Sequence, residues 1–156
     1  MSIAVWRIGS TKGLTLSTLW LGSTFEPGRW HRTPPEGKSV VYAGASRALC
    51  QLEKRVHCNG VQPRNQALLR LDLPDDVVLL DIRSLESLPA NWRADELWTQ
   101  SAGVTWRASG ASLGLWVPSA VEPDESNILL NPDHPQYAAV TITVERNPFR
   151  FDQRMF

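Results

Sequence analysis

Apolar and polar residues fall in short blocks along most of this chain, and the blocks have the length of strands. ALLRLDL (67–73) alternates apolar with polar as a half-buried strand does, and VTITV within AAVTITVE (138–145) is β-branched at every position. AVWRI (4–8), SVVYAG (39–44), VVLLDI (77–82), LGLWVPS (113–119) and NILLN (127–131) bring the candidate strands to seven. Helical spacing marks two longer segments. In ASRALCQLEKRVHCNG (45–60), Leu49, Leu52 and Val56 fall at i, i+3 and i+7, with Ser46 as N-cap and Gly60 as the stop. NWRADELWTQSAGVTWR (91–107) predicts a second helix broken near Gly103, and STLWLG (17–22) a third, short one. Several strands follow one another with no helix between them, which disfavours a doubly wound parallel sheet. The pattern predicts a single α+β domain over residues 1–156, with a mixed or antiparallel sheet core and helices on the outside.

Composition changes this picture little, and charge changes it more. A chain of 156 residues buries a core without staples, and 42% hydrophobic with 21% charged residues is ordinary for a globular domain. Seven tryptophans are many for this length; most belong in a core, with one or two free to line a pocket beside polar turns. Net charge is +0, so no global field draws in nucleic acid or an anionic membrane. Yet residues 1–70 carry ten Lys and Arg against three acids, +7, which the rest of the chain cancels. That half forms either an anion-binding wall or a solvated face. Cys50 and Cys58 would lie about 12 Å apart along one helix, too far to bridge. With no CxxC pair, no secretory leader and no apolar run of about 20 residues, a cytoplasmic protein with free thiols is expected. His31, His57 and His134 are scattered, so no metal site is expected.

Two constellations carry possible chemistry. In FEPGRWHRTPPEGKSVVYAGAS (25–46), Arg29 follows a glycine that lets the backbone bend towards a ligand, and its planar fork suits a phosphate; a lone arginine in such a place is more often a plain turn residue. Tyr42 either presents its ring to something flat or packs in the core with its hydroxyl bonded. Glu53 borders the apolar face of its helix, where a carboxylate is employed or paired, for example with Arg32 or Arg47. In LWVPSAVEPDESNILLNPDHP (115–135), Ser119 ends an apolar strand and opens a proline-rich loop, at a cleft-mouth position. No GxSxG surrounds it, so a hydrogen-bonding role is expected rather than a nucleophilic one. Asn127 and Asn131 are expected as turn formers, and Glu122, Asp124 and Glu125 as a solvated loop. GASRALC follows a strand, but neither GxGxxG nor GxxxxGK[ST] occurs, and no RNA-binding motif accompanies the basic half.

WRI, PGRWHRTPPEGKSVVYAGAS, ALCQLEKRVH, LWVPSAVEPDESNILLNPDHP and FRFDQR occur in this order from residue 5 to 154. Together they resemble the RES-domain family, toxins of bacterial toxin–antitoxin pairs named for an Arg, a Glu and a Ser. The resemblance implies an ADP-ribosyltransferase-like fold with NAD+ as substrate and no bound cofactor. It maps the family Arg, Tyr, Glu and Ser onto Arg29, Tyr42, Glu53 and Ser119. One departure is Pro27, where family members often have a second glycine. The implied roles are phosphate or ribose contact for Arg29 and a face against nicotinamide for Tyr42. Glu53 would stabilise the ribosyl cation, Ser119 would fix the nicotinamide ribose or amide, and Arg47 would add a phosphate contact. The acceptor is water, phosphate or a protein side chain; cleavage of free NAD+ is favoured, since no extra loop to hold a protein is visible. The alternatives are a mono-ADP-ribosyltransferase, an RNA-targeting toxin or RNA-binding module, and a non-catalytic subunit. The resemblance also implies an Xre-like helix-turn-helix antitoxin that covers the cleft and alone contacts operator DNA.

Overall fold

A computed structural model describes residues 2–156. Seven strands, as the blocks predict, form one sheet: β1 (Ala4–Ser10), β2 (Val41–Gly44), β3 (Gln66–Asp72), β4 (Leu79–Asp81), β5 (Gly114–Pro118), β6 (Ser126–Leu130) and β7 (Thr141–Phe149). Their order is β4-β5-β6-β2-β1-β3-β7. The edge strand β4 runs parallel to β5 and every other pair is antiparallel, so the sheet is mixed. Among the described residues four α-helices flank it: α1 (Leu21–Phe25), α2 (Arg47–Val56), α3 (Ile82–Leu85) and α4 (Glu96–Ser109). Among the described residues, no helix is long and apolar enough to cross a membrane.

Strand alternation divides the core. One face carries a continuous cluster that includes Val5, Val41, Leu69, Leu71, Ile128 and Leu130. The other face carries two. Trp30, Val40, Val117 and Leu129 pack with Trp106 of α4, while Ile8, Leu68 and Phe149 pack with Cys50 of α2 and with Phe151. Between these two clusters, β1 and β2 share a single paired position, Trp6 with Gly44, and then part. This gap positions the site.

Five local expectations change. α4 runs unbroken through Gly103: a side chain there would strike the carbonyl oxygen of Trp30, so the glycine permits helix-on-loop approach rather than ending the helix. The first helix begins at Leu21 rather than residue 17, because Thr15 and Thr18 bond to each other and to local backbone, which competes with helix hydrogen bonding. Strand 77–82 is shortened to Leu79–Asp81 and strand 138–145 begins at Thr141, after a 3-10 turn over Pro135–Ala139. On α2, Ser46 caps Leu49 N–H as expected, but Leu52 and Val56 are exposed; Leu49 and Cys50 are the buried pair. Glu53, one turn beyond both, therefore lies on the stripe that faces the sheet rather than at its border.

Candidate functional site

The gap between β1 and β2 opens into a cleft of about 780 Å³, lined by residues of β1, β2, α2, the 27–30 turn, and the ends of β5 and β6. Arg29, Tyr42 and Glu53 all line it, so the structure brings together three side chains far apart in sequence. Trp6 and Trp30 also contribute, as expected for one or two of the seven tryptophans.

The Gly28-Arg29-Trp30 turn is held from both sides. α4 serves its carbonyls: Gln100 Nε2 donates to Gly28 O (2.9 Å) and Thr99 Oγ1 to Arg29 O (2.7 Å), with Gly103 against Trp30 O. Its N–H groups turn inward, Gly28 N–H donating to His31 Nδ1 (3.1 Å) and Trp30 N–H to the Tyr42 hydroxyl (3.3 Å). His31 Nε2 faces Ser23 O at 2.9 Å, and a carbonyl only accepts, so Nε2 carries the proton and Nδ1 accepts. The Tyr42 hydroxyl, 2.6 Å from Nδ1, must then be its second donor. Burial lowers the His31 pKa and raises that of Tyr42, and both shifts favour this neutral pair. A Cβ on Gly28 would stand 2.5 Å from the Tyr42 oxygen. The glycine thus admits tyrosine, not a ligand, and its φ is not positive. With its backbone fixed, the turn aims Arg29 along the cleft wall, where Nη1 donates to Arg93 O (2.8 Å) beside the Trp92 ring.

Glu53 is held more tightly still. Its Oε1 accepts from Ser119 Oγ at 2.6 Å and from Asn127 Nδ2 at 2.8 Å. Ser119 is fully buried, and its oxygen accepts from Val121 N–H and Glu122 N–H, both at 3.0 Å. The hydroxyl therefore has no free valence for a ligand: Ser119 stands behind Glu53 rather than on the cleft surface, a correction to the ribose or amide contact implied for it. Asn127 is not a turn residue but part of β6, opposite Gly44 of β2 and Val117 of β5. Oε2 of Glu53 has no hydrogen-bond partner among the described residues.

Two cations share the cleft with this carboxylate. Arg7 on β1 bridges the parted strands, donating from Nη1 to Tyr42 O (3.1 Å), and Lys54 follows Glu53 on α2. Both line the cleft, and among the described residues neither has a carboxylate at ion-pair distance. Burial lowers the pKa of each, and for Lys54 the charge of Arg7 adds to the shift. The sequence singled out neither as a site residue. Their only sign was a polar residue inside the AVWRI strand block and a lysine one place beyond the glutamate. Arg47 goes the other way. It forms a two-pronged bond with Glu145 of β7 (2.8 and 2.7 Å), lies 4.7 Å from the Trp6 ring centroid and does not line the cleft. The phosphate contact implied for Arg47 is corrected accordingly.

A family model described as RES domain matches residues 4–152. The chain is 34% identical to the "Prs ADP-ribosylating toxin" of Sphingobium sp. (strain YBL2), over 99% of this chain and 98% of that protein. It is 35% identical to a "Toxin Res" of Pseudomonas putida, over 97% of this chain and 99% of that one. Among solved structures it resembles a chain of the M. tuberculosis MbcT–MbcA toxin–antitoxin complex, with TM-score 0.59 over 94% of this chain and 82% of the other. Identity there is 15%, so that likeness concerns the fold alone.

Proposed function

Because this chain belongs to the RES domain family, we propose that it is the toxin of a toxin–antitoxin pair and cleaves the nicotinamide–ribose bond of NAD+. One observation carries the reading: the Glu53 carboxylate, clamped through Oε1 and open at Oε2, shares a cleft with two cations that have no carboxylate at ion-pair distance. NAD+ supplies the counterparts, an anionic diphosphate for the cations and a ribose that turns cationic for the carboxylate. Arg7 and Lys54 hold the diphosphate, with Arg29 beside them. Tyr42, its hydroxyl committed to His31, offers its ring to nicotinamide, and Trp6 gives the cleft a second partly exposed ring for the adenine.

The bond from ribose C1′ to the pyridinium nitrogen breaks with its electron pair going to the nitrogen, and nicotinamide leaves neutral. Positive charge spreads over C1′ and the ring oxygen. Glu53 Oε2 accepts a hydrogen bond from the ribose hydroxyls and stabilises that charge in a site already organised for it. An acceptor lone pair then bonds to C1′ and the acceptor loses a proton. We assign that acceptor as water or inorganic phosphate, so that free NAD+ is consumed. The name of the Sphingobium relative favours a second reading, transfer to a protein side chain. The partner is an antitoxin with an Xre-like helix-turn-helix, seated over the cleft mouth, where Val56 and Leu97 next to Glu96 are exposed.

Purified protein, free of partner, incubated with NAD+ should release nicotinamide. The co-product separates the acceptors: ADP-ribose with water, ADP-ribose 1-phosphate with phosphate, or label fixed on protein. No nicotinamide with any of the three acceptors present would overturn the reading.

A further inference from the structure

Resting on the assignment of Glu53 as the carboxylate that faces the ribose, we infer that Asn127 is a positioning residue for this reaction. Its amide pins Oε1 and leaves Oε2 as the one working oxygen. A glutamate on the surface of a helix samples several orientations of its terminal group, because that torsion is broad. Here two donors meet on one oxygen, Ser119 Oγ at 2.6 Å and Asn127 Nδ2 at 2.8 Å, which fixes the carboxylate plane and presents the second oxygen to the cleft. The two donors come from different elements. Ser119 lies just after β5, while Asn127 is on β6, which is paired on both sides, with β5 and with β2. A donor on an interior strand has little freedom to drift.

Asparagine is a poor strand residue, and NILL otherwise supplies only apolar side chains. Its place is made by its neighbour: Gly44 lies directly opposite, where a Cβ would be 3.4 Å from Asn127 Oδ1 and 3.4 Å from Cys50 N of α2. A methyl at position 44 would touch both the Asn127 amide and the α2 backbone, so the glycine leaves the amide its room. Asn127 also lines the cleft, so removing it admits water beside the carboxylate.

The test compares Asn127→Ala with Asn127→Asp, which keeps the shape but turns the donor into an acceptor. Asn127→Ala should lower kcat for nicotinamide release about tenfold to a hundredfold, as expected for a hydrogen bond to a charged group, with KM for NAD+ changed less than roughly threefold. Asn127→Asp should be worse than alanine at pH 8, because two carboxylates then face each other. It should recover towards alanine as pH falls to 5, where a shared proton lets one donate to the other. If Asn127 only fills space, the isosteric aspartate will be the better enzyme at every pH, and the inference fails. Crystal structures without NAD+ supply a second arm. The Glu53 carboxylate should rotate or split into two orientations in Asn127→Ala, and an unchanged single orientation would overturn the positioning role. Should the wild type release no nicotinamide, the functional reading falls and this structural arm alone decides the role of Asn127.

Discussion

On the side of the cleft made by residues 28–31 and Tyr42, the backbone polar groups named above are met by protein: α4 takes the carbonyls, while His31 and Tyr42 take the N–H groups. On the side made by Arg7, Glu53 and Lys54, the cations have no carboxylate and Glu53 keeps one oxygen open. The first wall is a frame, finished at folding. The second carries charge that the folded chain meets with hydrogen bonds but not with opposite charge, which leaves it suited to a ligand of matching charge. Damage to the frame should therefore appear as lost stability, and damage to the charged wall as lost turnover or affinity with the fold kept.

The largest separation of the two is expected at Glu53. Glu53→Gln should cut nicotinamide release by about a thousandfold or more at an almost unchanged melting temperature, since the side chain is isosteric. Activity within a few-fold of wild type would show that the carboxylate does not carry the reaction. Gly103→Ala comes next, on the frame side. Alanine favours a helix by about 1 kcal/mol, yet its methyl would strike the Trp30 carbonyl, so a net loss of about 2–4 kcal/mol is expected in chemical denaturation. A stabilised variant would mean that α4 does not hold the turn as described.

Lys54→Met should move the two properties in opposite directions. Removing a half-buried cation that lacks a carboxylate at ion-pair distance should leave the free protein equally or more stable, while KM for NAD+ rises roughly tenfold. Unchanged KM would remove Lys54 from the diphosphate site.

The His31 pKa is lowered from 6.5 by burial, so the unfolded chain binds the extra proton first on acidification. The associated stability is whole above pH 6.5 and is lost as pH falls through the folded value. Protonation also takes the Nδ1 acceptor from Tyr42 and Gly28. Thermal melts should show this acid loss in the wild type and its absence in His31→Gln; identical profiles would assign it elsewhere. Arg47→Ala should have the smallest effect, with KM for NAD+ within about twofold of wild type, because its guanidinium is engaged by Glu145 outside the cleft.

The same division explains what could be read from the chain. Strand blocks, the α2 cap at Ser46 and the Arg29–Tyr42–Glu53 set were legible, because local alternation, capping chemistry and ordered motifs carry them. Asn127 was not: residue type suggests a turn, and only the register of β6 with β2 brings it to a glutamate 74 positions away. Arg47 was misplaced for the same reason, its partner Glu145 lying 98 positions on. Gly103 looked like a break because propensity cannot see the Trp30 carbonyl against the helix. On α2 the i, i+3, i+7 pattern chose Leu52 and Val56, yet the sheet covers only the narrower stripe through Leu49 and Cys50. Arg7 and Lys54 give no local sign of what they face.

On this reading the charged wall receives the diphosphate and nicotinamide ribose of NAD+. A crystal structure with a carbocyclic NAD+ analogue, whose nicotinamide bond cannot be hydrolysed, tests it most directly. The diphosphate should lie against Arg7 and Lys54 and the ribose hydroxyls on Glu53 Oε2, with nicotinamide on the Tyr42 ring and Oε1 still held by Ser119 and Asn127. An analogue bound with its diphosphate away from Arg7 and Lys54, or with Glu53 Oε2 facing no part of the ribose, would contradict it.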